Sequence, residues 1–242
     1  MEKSLSWREF IITRLIQSSG YSAILFVALI FFFLLREGLP TLGEVEASSL
    51  FNFRWYPIES YFGILPLLSG SLIVTLGAAL IAVPFGIGTA IYISEIAPRW
   101  MREILKPLVE LLGGLPSVVL GFLGILVLSP FLRVFLDLPT GLTALTGSLL
   151  LGGIAVPTVV SVAEDALDSV PRAYREGAWA LGATKWQTIW RVTLPAAKSG
   201  VLTAVMLGVG RAIGETMTVM MVTGNAPVLA TGLGSLFSPV RT

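Results

Sequence analysis

The sequence contains no cysteine and no histidine among its 242 residues, and only 13% of them are charged. Without thiols there is neither a disulfide framework nor thiolate chemistry, and without imidazole the usual zinc and haem ligand sets are excluded as well. Any catalysis would have to run on Asp, Glu, Lys, Tyr, Ser or Thr. No G-x-x-x-x-G-K-[ST] segment is present, so the chain has no phosphate-binding loop of a nucleotide motor. It shows no internal repeat and no low-complexity linker, and a formal net charge of +1 points to no nucleic-acid partner.

Apolar residues take the place of the missing charge. They make up 55% of the chain, with a mean hydropathy of +0.85, whereas a soluble domain carries about 25% charged residues. Five stretches approach or exceed the roughly 20 residues that cross a bilayer: Gly20–Leu35, Gly63–Ser94, Leu108–Leu132, Gly141–Ala163 and Ser199–Val222. The first is read as an uncleaved helix. Arg36-Glu37-Gly38-Leu39-Pro40 offers no small-x-small cleavage site, and the apolar run is long for a signal core. The second is expected to be interrupted at Pro84, Gly86 and Gly88. The third carries Gly113-Gly114-Leu115-Pro116, then Gly121 and Gly124. Proline and glycine at membrane depth need neighbouring helices to cover the backbone, and small residues let helices approach closely. By themselves they indicate ordinary packing in a polytopic bundle.

The basic residues alternate between connections. Lys3, Arg8 and Arg14, then Arg99, Arg102 and Lys106, then Arg172, Arg175, Lys185, Arg191 and Lys198 fall on one side; Arg36, Arg54, Arg133 and Arg241 fall on the other. The excess places the N-terminus in the cytoplasm. Leu39–Phe62, with Glu44, Glu46 and Glu59, becomes an outer loop.

The connection from about Glu164 to Lys198 is too polar to span and too patterned for a slack loop. A helix is expected to end before Pro171 and a new one to start there. Alanines favour helix across Arg172–Ala183. Gly182 followed by Thr184 then allows a turn and a fresh N-cap, and Trp186, Ile189 and Trp190 recur at helical spacing. Two readings stay open at this point: a pair of short helices projecting from the membrane, or a hairpin anchored in the headgroups by its tryptophans. Asp165 and Asp168 read as a solvated helix end.

Arg211 is the one basic residue inside an apolar stretch. At the bilayer centre a lone guanidinium costs about 2.5–3.5 kcal/mol even on the mildest scale, and Glu215, one helical turn later, is the local candidate partner. Either the two form a structural ion pair, or Arg211 contacts a polyanion on a pathway, since its planar fork matches phosphate and carboxylate oxygens. Gly210 and Gly214 leave room beside the helix.

These residues resemble a known family. Glu176-Gly177-Ala178, three residues, Gly182, nine residues and Val192-Thr193-Leu194-Pro195 are similar to the EAA signature of ABC importer permeases, E-A-A, three residues, G, nine residues, I-x-L-P; Gly177 and Val192 are mild departures. The Arg211–Met217 run RAIGETM, including Thr216, resembles the phosphate-specific permeases of the PstC and PstA type, and its Met favours PstC. Gly114–Gly121, Glu95 before Ala97-Pro98, Glu110 and Asn225-Ala226-Pro227 also fit, with Leu115 a mild departure. The resemblance runs from about Gly63 to the end.

It implies an all-α membrane protein with the transmembrane fold of a type I (MetI-like) importer. Residues 1–62 would hold the N-terminal segment, first helix and outer loop, and residues 63–242 the permease core. Five spans are present, and the family pattern expects a sixth beyond Thr242. Glu176, Gly177, Ala178, Gly182, Leu194 and Pro195 would couple to an ATPase; Arg211, Glu215, Gly210, Gly214 and Thr216 would line the substrate pathway. The implied partners are a homologous PstA-like permease, two PstB-like ATPase copies holding ATP and Mg, a periplasmic or lipid-anchored PstS-like phosphate-binding protein, and the lipid of a bacterial or archaeal cell membrane. The chain itself would carry no cofactor. A permease for molybdate, sulfate or phosphonate remains the alternative, since the EAA-like segment does not separate these substrates. An intramembrane enzyme lacks its residues here, and a sensor lacks an output domain.

Overall fold

The computed structural model describes residues 7–44, 47–59 and 61–242; Lys3, Glu46 and the side chain of Glu44 lie outside what it describes. The chain divides into two compact units, Met1–Phe51 and Asn52–Thr242. The first unit is helix α1, Trp7–Glu44, followed by a single turn at Ala47–Leu50. Its Trp7–Pro40 portion is long and, in its middle, apolar enough to cross a membrane, and it extends well past both ends of the Gly20–Leu35 stretch. At about 1.5 Å per residue, 34 residues exceed a hydrocarbon core about 30 Å thick.

The second unit opens with a small antiparallel hairpin, β1 (Trp55–Tyr56) and β2 (Tyr61–Phe62). Helix α2 follows at Leu65–Ile96, with Pro66 in its first turn and a wider π turn at Tyr92–Ile96. Contrary to the sequence expectation, α2 is not interrupted at Pro84, where the helix runs on unbroken. Its neighbours explain the tolerance. Val74, Ala78, Ala82, Gly86 and Ala90 make a buried stripe of mostly small residues at four-residue spacing, while Leu68, Leu72, Leu76 and Leu80 lie exposed on another face. The small stripe lets α2 pack tightly along α5, Ala144–Asp168, and a Cβ added at Gly86 would run into Val159.

Between them the chain returns in two pieces. Helix α3, Arg99–Gly113, ends at Gly114, and α4, Ser117–Phe135, starts beyond Pro116. The expected third span at Leu108–Leu132 is therefore corrected: the long apolar helix is Ser117–Phe135. Leu115 is pushed out of the helical region by the proline after it, and two glycines already weaken the helix there. α3 turns its charged face to α5 and leaves Trp100, Ile104, Leu108 and Leu111 exposed.

Helix α5 starts at an N-cap, Thr143, whose hydroxyl accepts the Thr146 N–H at 3.3 Å. It runs parallel to α2: Ser148 donates to the carbonyl of Val74 near one end, and Ser94 meets Asp168 at the other. Helix α6, Arg172–Ala180, starts directly after Pro171. Gly182, at φ +80°, supplies the left-handed turn, and Thr184 with Gln187 forms a reciprocal capping box that opens α7, Lys185–Ala196. α7 bends by 74° into α8, Lys198–Gly214. The expected fifth span, Ser199–Val222, is also corrected: α8 stops at Gly214, and a short α9, Met217–Val222, continues after a break at Glu215–Thr216. Among the described residues, four helices are long and apolar enough to cross a membrane, and the bent α7–α8 pair makes up to five spans.

Two buried clusters hold the unit together. One surrounds Val74, Ala78, Ala155, Ala212 and Val219. The other gathers Ala90, Val159, Ala163, Leu167, Ile189 and Ala204.

Candidate functional site

The breaks in the α3–α4 and α8–α9 traverses meet. The Thr218 hydroxyl lies 2.9 Å from the Ser117 carbonyl and 3.1 Å from Glu215 Oε1, and it shares its proton between them. The Glu215 carboxylate also accepts the Thr218 N–H at 3.3 Å. The sequence-based pairing of Glu215 with Arg211 is thereby overturned. Glu215 leaves the helix at ψ 116°, so the one-turn spacing no longer sets the two side chains side by side, and its carboxylate caps the start of α9 instead.

Arg211 is exposed and makes no ion pair or side-chain hydrogen bond among the described residues. It faces an open cavity of about 490 Å³ that Gly210 and Gly214, Glu215 and Thr158 of α5 also line. A Cβ at Gly210 or Gly214 would meet nothing within 4 Å, so both glycines keep the space beside the guanidinium clear. Four of the five expected pathway residues thus share one cavity. Thr216 sits in the break and is not part of its wall. Thr158 was missed by the sequence reading; its only signal is a hydroxyl directly after Pro157 within an apolar run. It also borders a second opening, with Glu110 and Ser161, further along α5.

At the other end of α5 lies the patterned connection. Glu176 lines a polar cavity of about 470 Å³ with Arg172, Arg175 and Trp179. Gly177 has open space around it, and Gly182 forms the exposed turn. Leu194, by contrast, packs on the buried cluster with Ile189, while Pro195 is exposed on α7. The segment therefore has a projecting half, α6 with its turn, and an anchored half. Asp165 and Asp168, expected as a solvated helix end, are ion-paired: Asp165 with Lys106 at 3.0 Å and Asp168 with Arg102 at 3.3 Å. Lys106 also donates to Glu164 at 2.6 Å, and the bonds to Glu164 first, then Asp165, hold its ammonium charged well above its usual range.

Apolar helices, a traverse broken beside an unpaired arginine, and a short helical elbow at one end define a multi-pass membrane permease. The chain belongs to the family described as "Binding-protein-dependent transport system inner membrane component", which matches residues 82–240, and within it to the PstC-like permeases. It is 37% identical over 83% of its length to the phosphate transport system permease protein PstC of Mesorhizobium japonicum, of which it spans 68%. It is 36% identical over 88% of its length to PstC of Pasteurella multocida, of which it spans 74%. With the "Probable ABC transporter permease protein YqgH" of Bacillus subtilis it shares 48% identity over 77% of this chain, and it spans 61% of that protein's length. Among solved structures, a chain of the inward-facing MetNI methionine ABC transporter aligns with 63% of this chain and 68% of its own length, at 23% identity and a TM-score of 0.49.

Proposed function

We propose that this chain is a permease subunit of an ATP-driven inorganic phosphate importer, forming half of the transmembrane pathway. The observation that carries this reading is Arg211: a permanent cation with no protein partner among the described residues, facing an open cavity kept clear by Gly210 and Gly214. An unpaired charge at that depth is costly. A site built to keep it free suits a passing oxyanion, whose oxygens the guanidinium fork matches. A single cation beside the Thr158 hydroxyl favours transit over retention, and high-affinity selection then belongs to a separate phosphate-binding protein. Glu215 and Thr216 set the bend that exposes Arg211.

The motor is a partner. Of two ATPase copies, holding ATP and Mg, one docks on α6 and its turn through Glu176, Gly177, Ala178 and Gly182, while Leu194 and Pro195 tie that elbow to the helices. A homologous PstA-like permease supplies the other half of the pathway. The connections rich in Lys and Arg lie in the cytoplasm, with the N-terminus on the same side.

The test is ATP-driven uptake of labelled phosphate by proteoliposomes of the complete importer, with sulfate and molybdate as competitors. Phosphate is expected to be taken up in preference to both, and Arg211→Ala to abolish uptake while the complex still assembles. Preferential transport of sulfate or molybdate would reassign the substrate. Failure of Arg211→Ala to assemble would make the arginine structural.

A further inference from the structure

The ends of α2 and α5 are joined by two arginines that neither helix contains. Arg102, from α3, donates its Nε to the Ile93 carbonyl at 2.9 Å and an Nη to the Ser94 carbonyl, at the end of α2. Its other Nη reaches Asp168, the last residue of α5, at 3.3 Å. Arg175, from α6, does the converse. Its Nη groups donate to the carbonyls of Val170 at 2.6 Å and Leu167 at 2.9 Å, at the end of α5. Its Nε and Nη2 hold Glu95 Oε1, at the end of α2, at 3.1 and 2.6 Å. Each guanidinium thus binds carbonyls at the end of one helix and pairs with the carboxylate of the other. Ser94 Oγ donates to Asp168 at 2.5 Å between them.

The two halves of this cross differ in weight. Arg175 and Glu95 are only 13% and 9% exposed, so their pair is shielded from solvent and held by several charge-assisted bonds. Arg102 and Asp168 are more than a third exposed, and their ion pair alone contributes little; it is the carbonyls that fix Arg102. Arg175 makes its four contacts through three nitrogens in one plane, which a lysine ammonium cannot reproduce.

We propose that Arg102 and Arg175 form a crossed latch that turns α6 and the adjoining ends of α2, α3 and α5 into one moving part. They act as positioning residues for coupling and do not contact the substrate. The inference rests on the reading of α6 as the ATPase-docking helix. A displacement applied at Glu176 enters Arg175 one residue away, passes to α2 through Glu95, and passes to α3 through Asp168 and Arg102. α3 ends at the Gly114–Pro116 break, just before Ser117, whose carbonyl is bonded to Thr218 beside the arginine cavity. The latch thereby joins the elbow to α3, and the α3 backbone carries on through the break to Ser117 and its bond to Thr218.

The chain has no native cysteine, so a reversible bridge can be placed cleanly. In the complete importer, Ser94→Cys/Asp168→Cys removes one arm of the latch and offers a covalent replacement between the same two helix ends. Joined by a short methanethiosulfonate bridge, this variant is expected to import phosphate with the wild-type yield per ATP hydrolysed. After reduction it should hydrolyse ATP with a lower yield. If the bridged form is blocked and reduction frees it, the ends of α2 and α5 must move apart, and the proposal is wrong. Equal yields in both forms, or none in either, also overturn it. As a second measurement, Arg175→Lys should assemble, keep hydrolysing ATP and lose about tenfold in phosphate imported per ATP; a wild-type ratio in that assembled complex refutes the latch. If Arg175→Lys does not assemble, the bridging experiment decides alone. The substrate reading fails separately, in the unmodified complex, if no phosphate is imported.

Discussion

At the scale of single residues, Arg211 and Glu215 have separate tasks. Arg211 presents charge to a cavity, and Glu215 holds the bend beside it through the N–H and hydroxyl of Thr218. A hydrogen bond to a charged group contributes about 1.5–3 kcal/mol. Glu215→Ala is therefore expected to cost about 1–2 kcal/mol in the thermal unfolding of the complex in nanodiscs. Glu215→Gln should cost less, because its amide oxygen still accepts from Thr218, and uptake should fall only a few-fold. Abolished uptake at unchanged stability in Glu215→Gln would instead place its charge in the pathway. Arg211 was legible in the sequence because it is the one basic residue inside an apolar stretch. The role of Glu215 was not. RAIGETM carries no proline, so a helix continuing through it was the natural reading, and the partner one turn away followed from that. Thr158 was illegible for another reason: one hydroxyl in a buried helix looks the same whether it faces packing or a cavity.

At the scale of elements, proline was a poor guide to where helices break. Pro84 lies within an unbroken α2, whereas Pro116, with Gly113 and Gly114 before it, separates α3 from α4. The difference lies in what surrounds each site. Near Pro84 the small stripe of α2 is packed against α5, and that contact holds the helix together; Gly113, Gly114, Leu115 and Pro116 are all exposed. The outline of the elbow was legible because Pro171, Gly182 and the Thr184 cap act within a few residues; the Gln187 half of the capping box was not read, and the sequence left open whether the pair projects or lies in the headgroups. Close packing yields a further prediction. A Cβ at Gly208 would overlap Val159, and the same valine faces Gly86 from α2. Gly208→Val should therefore destabilise the bundle by about 1–3 kcal/mol, read as a lower unfolding temperature. Gly177→Val, in open space on α6, should leave that temperature nearly unchanged and act on ATPase docking instead. Equal losses of stability at both positions would contradict the packing described here.

At the scale of the whole molecule, the sequence charges and the folded ends of the second unit agree, and together they predict an orientation that can be measured. The end where α2 and α5 finish, and where α3 and α6 start, carries Arg99, Arg102, Lys106, Arg172 and Arg175. The opposite end carries the β1–β2 hairpin with Arg54, and Arg133 and Arg241. Because α2 and α5 run parallel, the chain between them must recross, and the α3–α4 traverse does this; no connection has to carry its basic residues to the wrong side. By the positive-inside rule, the excess of Lys and Arg at the first end predicts that it faces the cytoplasm. Single cysteines in this cysteine-free chain test the assignment. Glu59, exposed beside the hairpin, and Arg99, exposed at the start of α3, are suitable positions. In intact spheroplasts a membrane-impermeant maleimide should label Glu59→Cys and leave Arg99→Cys untouched until the membrane is opened. The reverse pattern would invert the protein and put α6 out of reach of any cytoplasmic ATPase. Labelling of both positions without opening the membrane would mean that the long apolar helices do not separate the two ends.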